Sequence, residues 1–577
     1  MVARLFAPLL ALALTACAGV SAAAPRQRAA IGQLDSAVVG EAGLVSAADP
    51  RAAEAGAAML RAGGSATDAA IATMLALTVV EPQSSGIGGG GFLVSADAQG
   101  TVETLDGRET APMAAGGEWF HRDGRPLTVP EAIPGGRSVG VPGSLRLAAE
   151  AHRARGKLAW AALFAPAIAL ARDGFRISPR LHAALVRFRS SAALDPDGRA
   201  LFYAADGTAL AVGSLVRNPA LATTFERLAA RGADSFYVGP TAQAIAAEVA
   251  AAPVNPAPMV AADLAPYQAI RREPVCGTYR RHRICGMGPP SSGATTVLAI
   301  LTQLERFDLA ALGSASPTAW HLFAESQRLA YADRERYLAD PDFVPVPLAG
   351  LIDPAYLAAR SALIAPERTI ALVEPGTPPG ASVPLREGVQ PAESGTSHFV
   401  AVDRAGNVAS YTSTIESGFG SGLVTGGFYL NNELTDFSLV PSRGGVAVAN
   451  RVEAGKRPRS SMAPTLVFAP DGRLKVALGA AGGATIIVQV AKAIVGMIDW
   501  GLTAQQAIAL PTLYAPGDTV FVEQGTTLEA MIPALVALGH REVVAREPSF
   551  KANAIEQIGD RWIGAADPRS EGAAVAE

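Results

Sequence analysis

The residue best suited to chemistry in this chain is Thr396, within the run Glu-Ser-Gly-Thr-Ser-His-Phe at 393–399. A threonine hydroxyl is a weak nucleophile at neutral pH, whereas an α-amino group has a pKa of about 8 and is a usable base. Cutting the Gly395–Thr396 bond would place both groups on one residue. Its position, after a proline-rich stretch and at the start of a hairpin pattern, therefore predicts an internal cleavage site that creates a nucleophile.

A second hydroxyl is expected beside the first. Asp403–Asn407 is a turn sequence with Gly406 at the position that takes positive φ. With the turn centred on Ala405, Thr396 faces Thr414 across the hairpin, and facing side chains lie about 5 Å apart at Cβ. Thr414 is therefore a candidate to hold the nucleophilic hydroxyl. Two alternatives stay open: a register slipped by one or two residues, and an ordinary strand threonine.

Helix and strand patterns surround this hairpin. Capping residues and apolar periodicity predict helices near 50–60, 67–80, 317–338, 485–498 and 503–509. Alternating patterns predict strands at 399–402, 408–414 and 466–468. Six prolines between Pro366 and Pro391 predict a loop or linker without a core of its own.

Composition excludes some classes of function. The 577 residues are 49% hydrophobic and 17% charged, with a net charge of −4 and both signs interspersed. A nucleic-acid-binding surface needs clustered positive charge, so no nucleic-acid partner is expected. The seven histidines lack His-Glu-x-x-His spacing, and neither a metal nor a cofactor is predicted.

The first 24 residues have the pattern of an export signal. Arg4 precedes an apolar run from Leu5 to Leu14 that is too short to span a bilayer. The sequence Leu14-Thr15-Ala16-Cys17 resembles a bacterial lipobox, which makes Cys17 the expected lipidation site. Ordinary signal cleavage after 21–24 is the alternative. Both predict an exported, periplasmic protein. With lipidation at Cys17, its only membrane contact is expected to be the lipid anchor.

Two further cysteines, Cys276 and Cys285, flank a polar turn between short apolar segments. In an oxidising compartment they are candidates for a disulfide across a hairpin. Two reduced, buried thiols are the alternative. A structural zinc site is not expected, because no suitable histidine cluster accompanies them.

Several motifs stand in the order found in the γ-glutamyltransferase family of N-terminal nucleophile hydrolases, which the chain resembles over nearly all of its mature length. They lie at 81–91, 105–112, 140–144, 289–293, 395–398, 431–437, 455–462 and 479–483. The resemblance implies an α+β fold, a four-layer αββα sandwich. It also implies self-cleavage at Gly395–Thr396 into a large subunit, 25–395, and a small catalytic subunit, 396–577, that remain associated as a heterodimer.

The resemblance further implies a role for each matching residue. Thr396 is the nucleophile, with its own amine as base, and Thr414 holds its hydroxyl. Arg108, assisted by Ser460 and Ser461, is implied to bind the substrate α-carboxylate. Glu433 and Asp436 are implied to bind the α-ammonium. The backbone N–H groups of Gly482 and Gly483 are implied to bind the oxyanion. These residue types suit these tasks, because the arginine fork matches a carboxylate and glycine lets backbone N–H groups turn toward negative charge.

The chain departs from the family pattern at three places. Glu416 stands where well-known members commonly have Asn, so it is expected either to strengthen amine binding or to pair with an arginine. Gly479-Ala480-Ala481 replaces Gly-Ser-Pro, which leaves usable N–H geometry. The segment Leu439–Ala454, where some members carry a lid, is short. A reduced lid is expected to open the acceptor side to bulkier acyl compounds.

The expected activity is hydrolysis of γ-glutamyl amides such as glutathione, or transfer of their acyl group to an amino acid or dipeptide. One alternative is an acylase of the same fold that acts on other amides. Another is an uncleaved, inactive lipoprotein that binds peptides, but such a protein needs no nucleophile. Two competing signals carry little weight: Gly136–Gly140 matches Gly-x-Ser-x-Gly without the required strand and helix, and His398 is expected to be structural.

Overall fold

The computed structural model describes residues 38–382, 384–388, 395–548 and 551–577. The predicted signal and lipoprotein segment at 1–24, including Cys17, lies outside these ranges. Within them, no helix combines the length and apolar character needed to cross a bilayer.

The described residues form 25 strands. In chain order they are β1 Val39–Gly40, β2 Leu44–Ala47, β3 Gly90–Ala96, β4 Val102–Gly107, β5 His121–Arg122, β6 Arg125–Pro126, β7 Phe175–Arg176, β8 Leu215–Val216, β9 Ile270–Arg272, β10 Val275–Tyr279, β11 His282–Gly286, β12 Ser397–Val402, β13 Val408–Thr414, β14 Val424–Thr425, β15 Phe428–Tyr429, β16 Ser442–Arg443, β17 Val446–Ala447, β18 Thr465–Phe468, β19 Leu474–Ala481, β20 Leu513–Tyr514, β21 Thr519–Glu523, β22 Glu542–Arg546, β23 Lys551–Ile558, β24 Arg561–Ala566 and β25 Ala573–Ala576.

Helices connect and cover the strands. They are α1 Pro50–Arg61, α2 Ala66–Val80, α3 Val129–Ala132, α4 Ser144–Arg155, α5 Ala165–Asp173, α6 Pro179–Arg187, α7 Arg189–Ala192, α8 Pro196–Phe202, α9 Pro219–Arg231, α10 Asp234–Tyr237, α11 Pro240–Ala250, α12 Ala261–Leu264, α13 Gly293–Leu304, α14 Leu309–Leu312, α15 Pro317–Tyr337, α16 Leu348–Leu351, α17 Pro354–Ser361, α18 Thr485–Ile498, α19 Ala504–Ala509, α20 Thr527–Ala530 and α21 Ile532–Ala537. The helices predicted from sequence are all present, with ends that differ by at most one residue.

Two seven-stranded antiparallel sheets form the centre of the molecule. Sheet 1 has the order β1-β24-β23-β19-β18-β11-β10, and sheet 2 has the order β25-β2-β12-β13-β3-β4-β9. The two sheets face each other, with β12 and β13 of sheet 2 against β19 and β23 of sheet 1. Helices α1, α2 and α4 cover sheet 2, and α13, α18 and α19 cover sheet 1. This is the four-layer αββα arrangement expected from the sequence.

Strand β12 shows why both faces of a central strand are apolar. Val400 and Val402 point into the core between the sheets, where they join Leu466 and Val476. Phe399 and Ala401 point the other way, into the core beneath α1 and α2. Burying an aliphatic side chain of this size contributes about 1.5–3 kcal/mol. The strand that follows Thr396 is therefore held from both sides.

Helix α2 is buried along its whole length. Its start is fixed by a capping box, in which the Asp68 N–H donates to the Ser65 hydroxyl and the Ser65 N–H donates to the Asp68 carboxylate. Such a cap contributes about 1 kcal/mol. Its end is fixed at Glu81, whose N–H donates to the carbonyl of Leu77. The buried turn after α2 consequently lies at the start of the central strand β12, where Ser397 Oγ donates to Glu81 Oε2.

The hairpin register predicted from sequence is confirmed. Strands β12 and β13 pair from Ser397 with Ser413 to Val402 with Val408. In the turn, the N–H groups of Ala405 and Asn407 both donate to Asp403 Oδ1 at 3.0 Å, and Gly406 has φ +83°.

Cys276 and Cys285 lie directly opposite each other on the hairpin β10–β11 and are joined by a disulfide. The bond closes the outer hairpin of sheet 1. Of the two alternatives raised from the sequence, the structure has the disulfide rather than two reduced thiols.

Candidate active site

Thr396 is buried at the start of β12, and its hydroxyl makes two contacts. The hydroxyl lies 3.2 Å from that of Thr414 and also contacts the carbonyl oxygen of Gly395, the preceding residue. The Gly395 N–H donates to the carbonyl of Glu416 at 2.6 Å. Gly395 is therefore held by its own N–H, while the Thr396 hydroxyl contacts its carbonyl oxygen at the predicted cleavage site.

Glu416 follows β13 with φ +77°, a left-handed conformation that a glutamate rarely adopts. Its N–H donates to Thr414 Oγ1 at 2.8 Å. Its side chain accepts a bond of 2.5 Å from Asn432 Nδ2. Glu416 therefore contacts both halves of the site. Its N–H binds the Thr414 hydroxyl, and its side chain binds Asn432, which adjoins the acidic segment that begins at Glu433.

A buried ion-pair cluster forms the second half of the site. Arg108 follows β4, and its guanidinium contacts the carboxylates of Glu433 and Asp436. Its remaining bonds go to backbone carbonyls, 3.1 Å to Pro458 and 3.0 Å to Arg459. The three charged residues predicted to bind an α-amino acid head are thus in direct contact, although over 300 residues separate Arg108 from the other two.

Burial dominates the electrostatics of this cluster. It raises the pKa of Glu433 to about 7, with Arg108 opposing the shift and Asp436 adding to it. Burial likewise raises the pKa of Asp436, and it raises that of Glu416 well above its usual range. Burial alone would lower the pKa of Arg108, but Glu433 and Asp436 outweigh it and hold the pKa above its normal value. Arg108 is therefore a fixed cation among carboxyl groups whose pKa values are all raised by burial.

Glu109 is a further carboxyl in the cluster, which the sequence reasoning did not single out. Neither of its oxygens accepts a hydrogen bond from an N–H or O–H group in the described ranges. Burial raises its pKa well above the usual range, and the facing carboxyl of Glu433 raises it further. Two facing buried carboxyls remain together by sharing a proton. Glu433 Oε2 and Asp436 Oδ1 also lack a donor among the described residues, so the cluster has acceptors available for an incoming cation.

The two serines lie at the end of the cluster formed by the 455–462 segment. Ser461 Oγ accepts a bond of 2.7 Å from Arg334 on α15, and Arg334 also donates to Ser292 Oγ at 2.8 Å. Ser460 Oγ accepts from the N–H of Met462 at 3.2 Å. Arg334 is a second buried guanidinium that the sequence reasoning missed. The sequence feature that could have indicated Arg334 is a basic residue on the buried side of α15.

Gly482 and Gly483 follow β19 with φ +122° and +60°. Their N–H groups donate to no acceptor in the described part of the chain. Strand β19, which leads into this turn, packs closely on β12. A Cβ atom at Gly479 would lie 2.4 Å from the nearest atoms of the His398 ring and would collide with it. The close approach of the two sheets at this point requires glycine at position 479.

His398 does not serve Thr396 as a base in this arrangement. Its Nδ1 lies 2.8 Å from Thr412 Oγ1, and its ring packs on Gly479. Burial lowers its pKa to about 3, so it remains neutral. Ser138 of the Gly-x-Ser-x-Gly match is also structural, since it lies in a 3₁₀ turn and donates to the carbonyls of Ile133 and Gly135.

Comparison with known proteins decides the family. The family model described as gamma-glutamyltranspeptidase matches residues 52–577. The glutathione hydrolase proenzyme of Bacillus subtilis (strain 168) is 35% identical over 549 residues, covering 93% of this chain and 92% of that protein. The chain belongs to the γ-glutamyltranspeptidase family.

The γ-glutamyltranspeptidase family also includes acylases. The acylase ACY 1 proenzyme of Pseudomonas sp. (strain V22) is 36% identical over 550 residues, which cover 93% of this chain and 94% of that protein. The crystal structure of cephalosporin acylase from Bacillus halodurans superposes with a TM-score of 0.81 at 28% identity, covering 96% and 98% of the two chains. The chain is therefore an enzyme of the glutathione hydrolase and γ-glutamyltransferase kind, with the N-terminal nucleophile hydrolase fold.

Away from this site, His321, Glu325 and His540 form one buried group with metal-ligand chemistry. Their donors are already engaged within the protein. His321 Nδ1 lies 2.9 Å from His540 Nε2, and the Glu325 oxygens accept from Arg328 at 2.7 Å and from the N–H of Ile370 at 2.6 Å. An adjacent guanidinium disfavours a dication, so this γ-glutamyltranspeptidase family member gains no metal site from the group.

Proposed function

We propose that the protein cuts its own Gly395–Thr396 bond and then uses Thr396 to cleave γ-glutamyl amides such as glutathione. The observation that carries this proposal is the position of the Thr396 hydroxyl between the Gly395 carbonyl and the Thr414 hydroxyl. Thr396 is buried, so its hydroxyl meets the Gly395 carbonyl away from solvent.

The first reaction is an acyl shift within the chain. Thr396 Oγ attacks the Gly395 carbonyl carbon, the C–N bond breaks, and the nitrogen takes up the hydroxyl proton. The product is an ester of Gly395 with a free α-amine on Thr396. Water then hydrolyses the ester, giving the large subunit 25–395 and the small subunit 396–577. The Glu416 carbonyl assists by holding the Gly395 N–H at 2.6 Å while the bonds rearrange.

The ion-pair cluster is suited to the head group of the substrate. A γ-glutamyl group carries an α-carboxylate and an α-ammonium on the same carbon. On binding, the carboxylate takes over the bonds of Arg108, and the ammonium takes over those of Glu433 and Asp436. The two internal ion pairs of Arg108 are thus exchanged for intermolecular ones, so the buried charges stay compensated. Asp436 Oδ1, which has no donor among the described residues, favours the ammonium over a neutral group.

In the mature enzyme, the free amine of Thr396 accepts the hydroxyl proton as Oγ attacks the γ-carbonyl carbon. Thr414 orients the hydroxyl, and the N–H groups of Gly482 and Gly483 stabilise the oxyanion. The leaving amine takes the proton, which leaves a γ-glutamyl ester on Thr396. Water or the amine of an amino acid or dipeptide then attacks this ester and regenerates the enzyme.

The test is processing followed by activity. A denaturing gel of the wild-type protein should show two bands, one of which begins Thr-Ser-His-Phe on N-terminal sequencing. Thr396→Ala should give one full-length band and no release of p-nitroaniline from its γ-glutamyl conjugate. A wild-type protein that remains a single uncut band would instead support an inactive peptide-binding protein and refute this proposal.

A second candidate is an acylase that acts on other amides. It is favoured by the ACY 1 and cephalosporin acylase relatives. It is also favoured by the segment Leu439–Ala454, which contains a short hairpin of two-residue strands, β16 exposed and β17 half-buried. Glutaryl-p-nitroanilide keeps the distal carboxyl group of the head and lacks only its α-amino group. Faster release from the glutaryl than from the γ-glutamyl conjugate would select the acylase function.

For location, we propose an exported, periplasmic protein anchored through lipidated Cys17. Support comes from the lipobox sequence at 14–17. Metabolic labelling with a fatty acid should mark the wild-type protein and leave Cys17→Ser unlabelled. Labelling of Cys17→Ser would refute the anchor.

A further inference from the structure

Lys551 is a buried lysine next to the nucleophile that the proposed chemistry does not use. It begins β23 in sheet 1, and its Nζ donates to three side-chain oxygens: Glu81 Oε2 at 2.7 Å, Ser84 Oγ at 3.1 Å and Ser397 Oγ at 3.1 Å. All three ammonium protons are therefore engaged. A fully satisfied buried network of this kind is rigid.

The partners of this network come from separate elements. Glu81 and Ser84 belong to the turn that ends α2, and Ser397 is the residue directly after the nucleophile. Ser397 Oγ also donates to Glu81 Oε2 at 2.7 Å. The Lys551–Glu81 pair is thus locked to the first residue of β12, and it links the large-subunit sequence to the small-subunit sequence across the cleavage site.

The backbone of Lys551 serves the other half of the catalytic apparatus. Lys551 is paired with Ala481 on the neighbouring strand β19, and Ala481 directly precedes Gly482 and Gly483. One residue therefore contacts the strand of the nucleophile through its side chain and the strand of the oxyanion turn through its backbone. No other described residue is paired with the last position of β19.

We propose that Lys551, with Glu81, is a positioning residue that fixes the separation between Thr396 and the Gly482–Gly483 turn. The proposal rests on the proposed function, because it takes Thr396 as the nucleophile and the turn as the oxyanion site. These two groups lie on different sheets, so their spacing depends on a contact between the sheets. A displacement of about 1 Å between reacting groups costs about 100-fold in rate.

The link also accounts for a buried charge that would otherwise be costly. An ammonium taken out of water needs a counter-ion and hydrogen bonds to remain in place. Glu81 supplies the counter-ion, and Arg180 stands on its far side with Nε 3.6 Å from Glu81 Oε1. A methionine could fill the same space at position 551 without charge. The lysine therefore provides directed bonds to Ser397 and Glu81 that packing alone would not.

The experiment compares Lys551→Met, Ser397→Ala and the double variant with wild type, using mature enzyme and γ-glutamyl-p-nitroanilide. We expect Lys551→Met to lower kcat by about 10- to 100-fold with KM changed by less than about twofold. Ser397→Ala should lower kcat in the same direction, and the double variant should lose no more than Lys551→Met alone, because both substitutions break one link. Lys475→Met is the matched control, since Lys475 lies at the outer end of β19 and, among the described residues, its ammonium forms an ion pair only with Glu556, at 3.7 Å.

Wild-type kcat in Lys551→Met, or losses that simply multiply in the double variant, would overturn the proposal. If Lys551→Met does not fold, Glu81→Gln tests the same link, with the same expected kcat loss and non-additivity with Ser397→Ala. The variant Thr396→Ala distinguishes a failure of the proposed nucleophile from a failure of the positioning role of Lys551. Activity in Thr396→Ala would refute the proposed nucleophile, whereas an inactive Thr396→Ala beside a fully active Lys551→Met would refute the positioning role alone.

Discussion

The hydroxyl of Thr414 lies 3.2 Å from that of Thr396 because the two residues end facing strands of one hairpin. Thr414 Oγ1 also accepts the N–H of Glu416 at 2.8 Å. The Thr396 hydroxyl donates to the same oxygen, so Thr414 Oγ1 is bound both by the Glu416 backbone and by the nucleophile. Thr414 therefore fixes the position of the nucleophilic oxygen beside the Gly395 carbonyl.

Replacing this hydroxyl should impair both reactions of Thr396. We expect Thr414→Val, which keeps the shape of the side chain, to lower kcat by about 100-fold and to slow cleavage of the precursor. Thr414→Ser should retain most of both activities because it keeps the hydroxyl. The measurements are kcat with γ-glutamyl-p-nitroanilide and the fraction of uncut precursor over time on a denaturing gel.

Thr224→Val is the matched control for this substitution. Thr224 is also a buried threonine, with its hydroxyl bonded to the carbonyl of Gly426 at 2.9 Å, and it belongs to α9 rather than to the hairpin. Its loss should lower stability without changing kcat. Normal processing and normal kcat in Thr414→Val would show that the hydroxyl contact has no catalytic role.

Ligand binding should depend on pH through the carboxyl cluster. Burial raises the pKa of Glu433 to about 7, so below pH 7 this group is protonated and presents less charge to an α-ammonium. With one such group, the Kd for L-glutamate should rise by about tenfold between pH 8 and pH 6. Calorimetry in buffers of different ionisation enthalpy should also detect proton release on binding near pH 7.

The raised pKa of Glu433 has the opposite effect on the stability of the ligand-free fold, which should decrease as the pH rises. A carboxyl whose folded-state pKa is raised contributes stability below its unfolded pKa of about 4.5, and this is lost as the pH rises through 7. The thermal midpoint of the free enzyme should therefore fall from pH 5 to pH 8, and less so in Glu433→Gln. A Kd for L-glutamate that does not change between pH 6 and pH 8 would show that Glu433 does not titrate with binding.

Local sequence rules were enough to predict the hairpin and the long helices. The turn residues Asp403 and Gly406 set its position, and with the turn fixed, the pairing of Thr396 with Thr414 follows by counting. Helix starts were predictable where a capping side chain or a proline at the first position marks them, as at Ser65 and Pro317. These features depend on neighbours within a few residues.

Contacts between distant elements were not predictable in the same way. Arg334 reaches Ser461 from α15, and Lys551 reaches Ser397 across the two sheets. Each of these depends on how sheets and helices stack, which no local pattern encodes. The role of Glu109 was hidden for another reason. It adjoins Arg108 in the chain, but its meeting with Glu433 depends on the packing of the 431–437 segment.

The disulfide should stabilise the fold without affecting catalysis. Cys276 and Cys285 are nine positions apart in the chain and lie on the outer hairpin of sheet 1. Strands β18 and β11 stand between β10 and the strand β19 that leads to the oxyanion turn. Closing a loop of this length restricts the unfolded chain by about 2–3 kcal/mol. Urea unfolding of the double variant Cys276→Ser/Cys285→Ser should show that loss, at an unchanged kcat. A large fall in kcat would reveal a coupling between this edge and the active site.

Glu416→Asn should separate stability from substrate choice. Glu416 has φ +77°, which asparagine adopts more readily than glutamate, and its carboxyl is buried among like charges. The substitution should therefore raise the free energy of unfolding by about 1 kcal/mol. It also removes a carboxylate from the ammonium end of the site. The preference for γ-glutamyl- over glutaryl-p-nitroanilide, measured as the ratio of kcat/KM values, should fall by about tenfold, the equivalent of one weakened charge-assisted bond.

Glu542→Gln is the control, since Glu542 is an exposed carboxylate whose side chain accepts a bond from Thr519 outside the site. It should change neither the stability nor the preference by a comparable amount. If Glu416→Asn is more stable but equally selective, Glu416 serves only the backbone and Asn432. If Glu416→Asn is less stable and equally selective, the bond between Glu416 and Asn432 stabilises the fold by more than the backbone strain costs. The ammonium end of the pocket is then formed by Glu433 and Asp436 without Glu416. A fall in selectivity together with a gain in stability would mean that this chain retains a strained residue because its carboxylate recognises the α-ammonium.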